Sequence, residues 1–225
     1  MSRPVVTGYD WAPDEGRGMV RDMRVRWALE EVGQPYDERR LSWGEQKEAA
    51  HRARSPFGQV PTFEEDGLTL FESGAIVLHI AETRPGLLPQ DRNAAAGTRE
   101  WMFAALNTVE PVVWDWVLAT IVEGEAAAAR LAGVEQRLRT RLGELSVRLG
   151  EADWLDRDFT AGDLLMVHVL RPLGRSPFLD EYANLAAYVA RGEARPAFGR
   201  ALAALRAGLR DTPPPGWLEQ MGEQK

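Results

Sequence analysis

Residues 58–74 read Gly58-Gln59-Val60-Pro61-Thr62-Phe63-Glu64-Glu65-Asp66-Gly67-Leu68-Thr69-Leu70-Phe71-Glu72-Ser73-Gly74. Two short runs, 61–65 and 68–71, flank Asp66-Gly67. Both residues of that pair reach φ > 0 readily, so the pattern predicts an antiparallel hairpin with a tight turn. After the hairpin, 73–82 reads as a helix, and Ser73 is of the type that caps or opens a first turn. Before it, Pro61 opens a strand, where the missing N–H is tolerated and a cis bond is admissible. A cis Val60–Pro61 bond would turn the Val60 N–H and C=O outward, able to pair with an extended peptide ligand. Exposed N–H groups at the helix start would bind a carboxylate, and Glu72 would accept a hydrogen bond from an ammonium group. Together they suit the α-amino-acid end of a ligand. Taken singly, the two segments read more simply as a turn before a strand and as plain capping. Their succession across one hairpin is what carries information.

Upstream, 5–9 reads as a strand, 10–18 as a loop rich in Pro, Gly and acid, and 19–32 as a helix stopped by Gly33. A second strand is expected over 36–41. This is a βαβ unit, so its strands should run parallel with a right-handed crossover. Residues 42–55 are polar, with weak helical periodicity. The order is β-α-β-α-β-β-α, closing near Arg84-Pro85-Gly86. Residues 85–92 read as a linker. Beyond it the pattern is helical throughout, over 93–123, 126–150, 160–171, 179–191 and 196–209. Pro111 should kink or break the first of these. The tail after Pro213-Pro214-Pro215 is expected to be irregular. The fold class is therefore α/β followed by all-α, with one domain over 1–84 and an all-helical one over 93–225.

The 225 residues are 44% apolar, enough for a sizeable core, and carry a net charge of −7. Neither half has a basic tail, which argues against a nucleic-acid partner. No cysteine is present, which rules out disulfides, Cys-ligated metals and a Cys nucleophile. His51, His79 and His168 are far apart in sequence, and no metal site is expected. No apolar run has the length of a signal peptide or a membrane span, so a cytoplasmic protein without membrane contact is expected.

With those motifs in order, the N-terminal half resembles the thioredoxin-like domain of cytosolic glutathione transferases. The resemblance implies a cis Val60–Pro61 step, with the Val60 backbone pairing with the cysteinyl part of glutathione and Glu72-Ser73 holding the γ-glutamyl end. Gly44-Glu45-Gln46-Lys47 resembles the theta-like pattern, which places Lys47 and Gln59 at glycyl-carboxylate positions. In the C-terminal half, Phe159-Thr160-Ala161-Gly162-Asp163 matches the family's Phe-Thr-x-x-Asp segment. There Thr160 and Asp163 are spaced as a capping box, with Phe159 and Leu164 as a hydrophobic staple. The resemblance covers about residues 5–205 and implies an enzyme with glutathione as co-substrate, no metal, and a homodimer.

The sequence departs from the family where the thiol is activated, a step needed because the thiolate is the nucleophile. Val25-Arg26-Trp27-Ala28-Leu29-Glu30-Glu31 matches the helix ending of the Ser classes, but the Ser-Pro-x-Ser positions hold Met19-Val20-Arg21-Asp22. Tyr9, at the end of strand one, is one candidate, although the loop after it is about six residues longer than in the Tyr classes. The other is an anion site at Arg17 and Arg21, which with Arg24 share one helix side. Arg17 and Arg21 read somewhat more simply as surface partners of Asp14, Glu15 or Asp22. Activities that need the family's Cys, such as disulfide reduction, are disfavoured. Trp101, on the first long helix, and Trp11 are the candidates for the second-substrate pocket, which would take an apolar electrophile. The expected reaction is conjugation of the glutathione thiolate to such an electrophile, in a detoxifying role. A glutathione-dependent isomerase or dehalogenase, or a non-catalytic glutathione-binding protein, are the alternatives.

Overall fold

A computed structural model describes residues 2–13, 16 and 18–215, apart from the side chain of Arg175. Two compact units divide the chain.

The first unit is built on four strands, β1 Val5–Tyr9, β2 Asp37–Leu41, β3 Thr62–Glu65 and β4 Leu68–Phe71. They lie in the order β2-β1-β3-β4. β1 and β2 run parallel, joined through α1, Asp22–Glu31, as a βαβ unit requires. β3 is antiparallel to both β1 and β4. The β3–β4 turn has φ 46° at Asp66 and 84° at Gly67, the left-handed pair the sequence predicts. Between β2 and β3 lie a 3₁₀ turn, Glu45–Lys47, and the single-turn helix α2, Ala49–Arg52. α3 spans Ser73–Thr83. Val6 and Phe63 from the sheet, Met23, Trp27 and Leu29 from α1, and Ile76 and Ile80 from α3 are fully buried. Each such side chain contributes on the order of 1.5–3 kcal/mol relative to exposure.

Arg26 is wholly buried yet charged. Its Nε donates to Asp22 Oδ2 at 2.8 Å, and Nη1 donates to Glu38. Burial alone would lower its pKa, but the two carboxylates more than reverse that and hold the proton in place.

The second unit runs from Leu88 to Arg195. It contains α4 Arg92–Ala104, α5 Glu110–Val117, α6 Ala128–Leu149, α7 Ala161–Leu170 and α8 Ala183–Glu193. Every residue of α7 is buried, as expected for a helix that is apolar on all sides and serves as a core. α6 offers a stripe, Val134, Leu138, Leu142, Leu145 and Leu149, at helical spacing. The break expected at Pro111 takes a milder form. The turn Ala105–Val109 widens to π geometry, and the Glu110 N–H bonds to the Ala105 carbonyl. The chain thereby stays helical past the proline.

One helix departs from the sequential division at residue 93. α9, Pro196–Ala207, belongs to the first unit. Its buried face, Ala197, Phe198, Ala201 and Leu205, explains why. Phe198 meets the Trp27 ring edge-on at 5.0 Å, and Arg200 Nε donates to Glu30 Oε2 at 2.7 Å. Among the described residues no helix is long and apolar enough to cross a membrane. The tail beyond Pro215 lies outside the described residues.

Candidate glutathione site

The register of the hairpin builds the site. Thr62 pairs with Phe71, so the residues just before β3 and just after β4 meet. The Val60–Pro61 bond is cis. Arg21, Ser55, Gln59, Val60, Pro61, Phe71, Glu72 and Ser73 line a single cleft within the first unit.

Three local arrangements hold the proline loop. His51, 2% exposed, meets the Gln59 carbonyl with Nε2 at 2.9 Å; a carbonyl only accepts, so this nitrogen carries the proton. The Ser55 hydroxyl accepts from the Gln59 N–H at 3.2 Å. Lys47 Nζ donates to the Gly58 carbonyl at 3.1 Å. Gly58 has φ 59°, and a Cβ there would lie 2.6 Å from the Gln46 carbonyl oxygen, so the tight approach requires glycine.

On the other wall, Glu72 is exposed and has φ 69°, an unusual conformation for a residue with a side chain. Such strain persists where the surroundings fix it, and is characteristic of functional sites. Among the described residues no side chain caps the start of α3, which leaves first-turn N–H groups without an intrahelical partner. Ser73, 5% exposed, is the first residue of that turn, and its Oγ accepts from Arg24 Nη1 at 3.1 Å.

The cleft therefore gathers Arg21, Gln59, Val60, Pro61, Glu72 and Ser73 from the residues singled out in the sequence. Lys47 stands one residue away, through Gly58. Arg17 lies outside the described residues. Tyr9 is not among the residues lining the cleft. Its ring packs at 5.2 Å from Trp43, and burial, with the Asp22 carboxylate second, pushes its pKa up to about 12. A hydroxyl in the field of a carboxylate is a poor neighbour for a second anion, which weighs against Tyr9 as the group that holds the thiolate. Trp11 is half-buried in the first unit. Trp101 is in the second unit, where its Cβ lies 2.7 Å from where a Cβ on Gly162 would be, and Arg148 sits 5.1 Å over its ring. Among the described residues no cluster of three His, Asp or Glu could hold a metal ion.

Ser55, Phe71 and His51 were not singled out as site residues. Phe71 was legible as the residue paired with the start of β3. His51 and Ser55 act through loop contacts that no local pattern announces.

A four-stranded thioredoxin-like sheet, a cis-proline loop and an uncapped helix start, with a helical unit following, define a class of ligand-binding fold. Known proteins share it. The family model described as "Glutathione S-transferase, N-terminal domain" matches residues 15–82. Glutathione S-transferase 4 of Zea mays is 31% identical over 182 residues, which is 76% of this chain and 76% of that protein. A probable maleylacetoacetate isomerase 2 of Drosophila melanogaster is 39% identical over 95 residues, 40% of this chain and 42% of that one. A glutathione transferase family member from Pseudomonas fluorescens, solved with two glutathione bound, aligns with TM-score 0.78 and 24% identity, covering 89% of this chain and 92% of that one. Poplar glutathione transferase F1 aligns with TM-score 0.80 and 22% identity, covering 92% and 100%. The chain belongs to the glutathione S-transferase family and is an enzyme of that family.

Proposed function

We propose that the cleft binds glutathione and that the enzyme conjugates its sulfur to an electrophilic, largely apolar small molecule. The γ-glutamyl end lies against Glu72, Ser73 and the first-turn N–H groups of α3. The cysteinyl backbone pairs with Val60, and the glycyl carboxylate lies toward Gln59 and Lys47. The observation that carries this reading is the convergence of Arg21, Val60, Glu72 and Ser73 on one cleft.

The glutathione thiol loses its proton to solvent, and the thiolate is held by the Arg21 guanidinium in place of a hydroxyl. Arg21 adjoins the N-terminus of α1, whose dipole also favours an anion. The sulfur then attacks the electrophilic carbon. A C–S bond forms, and the leaving group departs with the electron pair of the bond it breaks. Holding both reactants in line lowers the barrier chiefly through orientation. Tyr9 is assigned no step. Trp101 and Trp11 remain the candidates for contact with the electrophile. Glutathione is a co-substrate, no metal takes part, and the enzyme works as a cytoplasmic homodimer.

A second reading, a glutathione-dependent isomerase, draws on the likeness to the Drosophila isomerase over 95 residues. The test is turnover of glutathione with an aryl halide, followed by absorbance of the thioether, beside maleylacetoacetate assayed for cis–trans isomerisation. Conjugation without isomerisation is expected. Isomerisation alone would favour the second reading, and glutathione binding with neither activity would contradict both.

A further inference from the structure

Ser73 is the one hydroxyl at the start of α3, and its neighbour across the fold is a buried cation. Arg24, on α1 and 2% exposed, reaches 49 residues along the chain to place Nη1 3.1 Å from Ser73 Oγ. Arg24 does not line the cleft, whereas Ser73 does. The hydrogen-bonded route from Arg24 to a ligand in the cleft therefore runs through the serine.

We propose that Arg24 is a positioning residue that fixes the direction of the Ser73 O–H, so that the hydroxyl is committed to donate to the carboxylate of the γ-glutamyl group. The inference rests on the reading of the cleft as a glutathione site. A serine hydroxyl has one proton and two lone pairs. The guanidinium has only donors, so it occupies a lone pair and leaves the proton for another acceptor. A serine in a first turn otherwise tends to turn its hydroxyl toward nearby backbone carbonyls. Accepting from Arg24 excludes the orientation in which the proton faces the guanidinium, which narrows the hydroxyl's choices in favour of an acceptor on the cleft side. A hydroxyl that accepts from a cation is also polarised into a stronger donor. The acidic end of the ligand thus meets a donor that is oriented before binding, which removes part of the ordering cost.

A double-mutant cycle on glutathione affinity, read by calorimetry, tests this. Ser73→Ala and Arg24→Met should each weaken binding about tenfold, the scale of one hydrogen bond to a charged group. The double variant should also lose about tenfold rather than about a hundredfold. Ser73→Thr, which keeps the hydroxyl, should retain the dependence on Arg24. Thermal unfolding checks that each variant is folded, and Arg24→Gln, which removes the cation, replaces Arg24→Met in the cycle should the latter not fold. Losses that multiply, or binding indifferent to residue 24, would overturn the role of Arg24 alone. Wild-type protein that binds no glutathione would instead overturn the reading of the cleft.

Discussion

Two helices in this protein begin at a hydroxyl residue and are finished in opposite ways. At the start of α7, Thr160 accepts from the Gly162 N–H at 3.2 Å, and Asp163 accepts from the Thr160 N–H at 3.0 Å, a reciprocal capping box. Asp163 also accepts from the Leu155 N–H and the Tyr188 hydroxyl, each at 2.9 Å. Burial pushes the Asp163 pKa up, and these bonds offset part of that rise. At the start of α3 the donors receive no side-chain cap among the described residues, the preceding Glu72 is strained, and Ser73 takes its bond from Arg24. The first terminus is closed and serves folding. The second is left incomplete in a cleft, which is where a ligand carboxylate can complete it.

The largest effect should come from breaking the closed terminus. Asp163→Ala leaves the Leu155 and Thr160 N–H groups and the Tyr188 hydroxyl without their buried acceptor. At about 1–3 kcal/mol for each orphaned group, stability should fall by roughly 3 kcal/mol or more in denaturant unfolding. Glutathione affinity of the folded fraction should be unchanged, because the first unit is untouched.

Next comes the open side. Removing the Arg21 cation should disfavour the thiolate, so Arg21→Met should raise the pKa of enzyme-bound glutathione by about one unit, equivalent to 1.36 kcal/mol. Thiolate absorbance of the complex against pH measures this, and the acid limb of kcat/KM for the electrophile, taken at saturating glutathione, should move to higher pH by the same amount. An unmoved thiol would remove Arg21 from the mechanism.

A smaller and opposite pair of changes is expected at Glu72. Glycine adopts φ 69° without the penalty of a side chain. Glu72→Gly should therefore leave thermal stability unchanged or raise it by about 1 kcal/mol, while glutathione binding weakens. Lower stability together with unchanged binding would show that the strain has no connection with the ligand.

The smallest effect is at Tyr9. Its folded-state pKa is raised from 10.0 to about 12, so the neutral form is favoured in the folded protein. The stability linked to it is full below pH 10 and is lost as pH rises through 12. Tyr9→Phe should flatten that alkaline loss in unfolding measured against pH, and should leave the bound thiol's pKa where it is.

These contrasts also show which parts of the molecule the sequence made legible. The Asp66-Gly67 turn, the parallel β1–β2 pair and the Thr160–Asp163 box are each fixed within a few residues or by chain handedness, and their residue types announce them, whereas the cis bond before Pro61 is implied by the family resemblance and not by the residues alone. The convergence of Val60 with Ser73 followed from the same hairpin. What stayed hidden depends on distant partners. α9 reads as one more helix of the helical half, yet Phe198 finds Trp27 across the first unit. The Arg24–Ser73 contact spans 49 residues, and His51, read only as an isolated histidine, holds the Gln59 carbonyl. The burial of Tyr9 and the charge of Asp22 near it depend on the fold in the same way, and position at a strand end does not announce them.

The central claim is that the unfinished start of α3, beside the cis-proline loop, is where glutathione binds. Calorimetric titration of glutathione into the wild type and Ser73→Ala tests it most directly. Saturable binding, weakened about tenfold by the substitution in protein that still unfolds cooperatively, is the predicted result. Binding of equal strength to both proteins would contradict it.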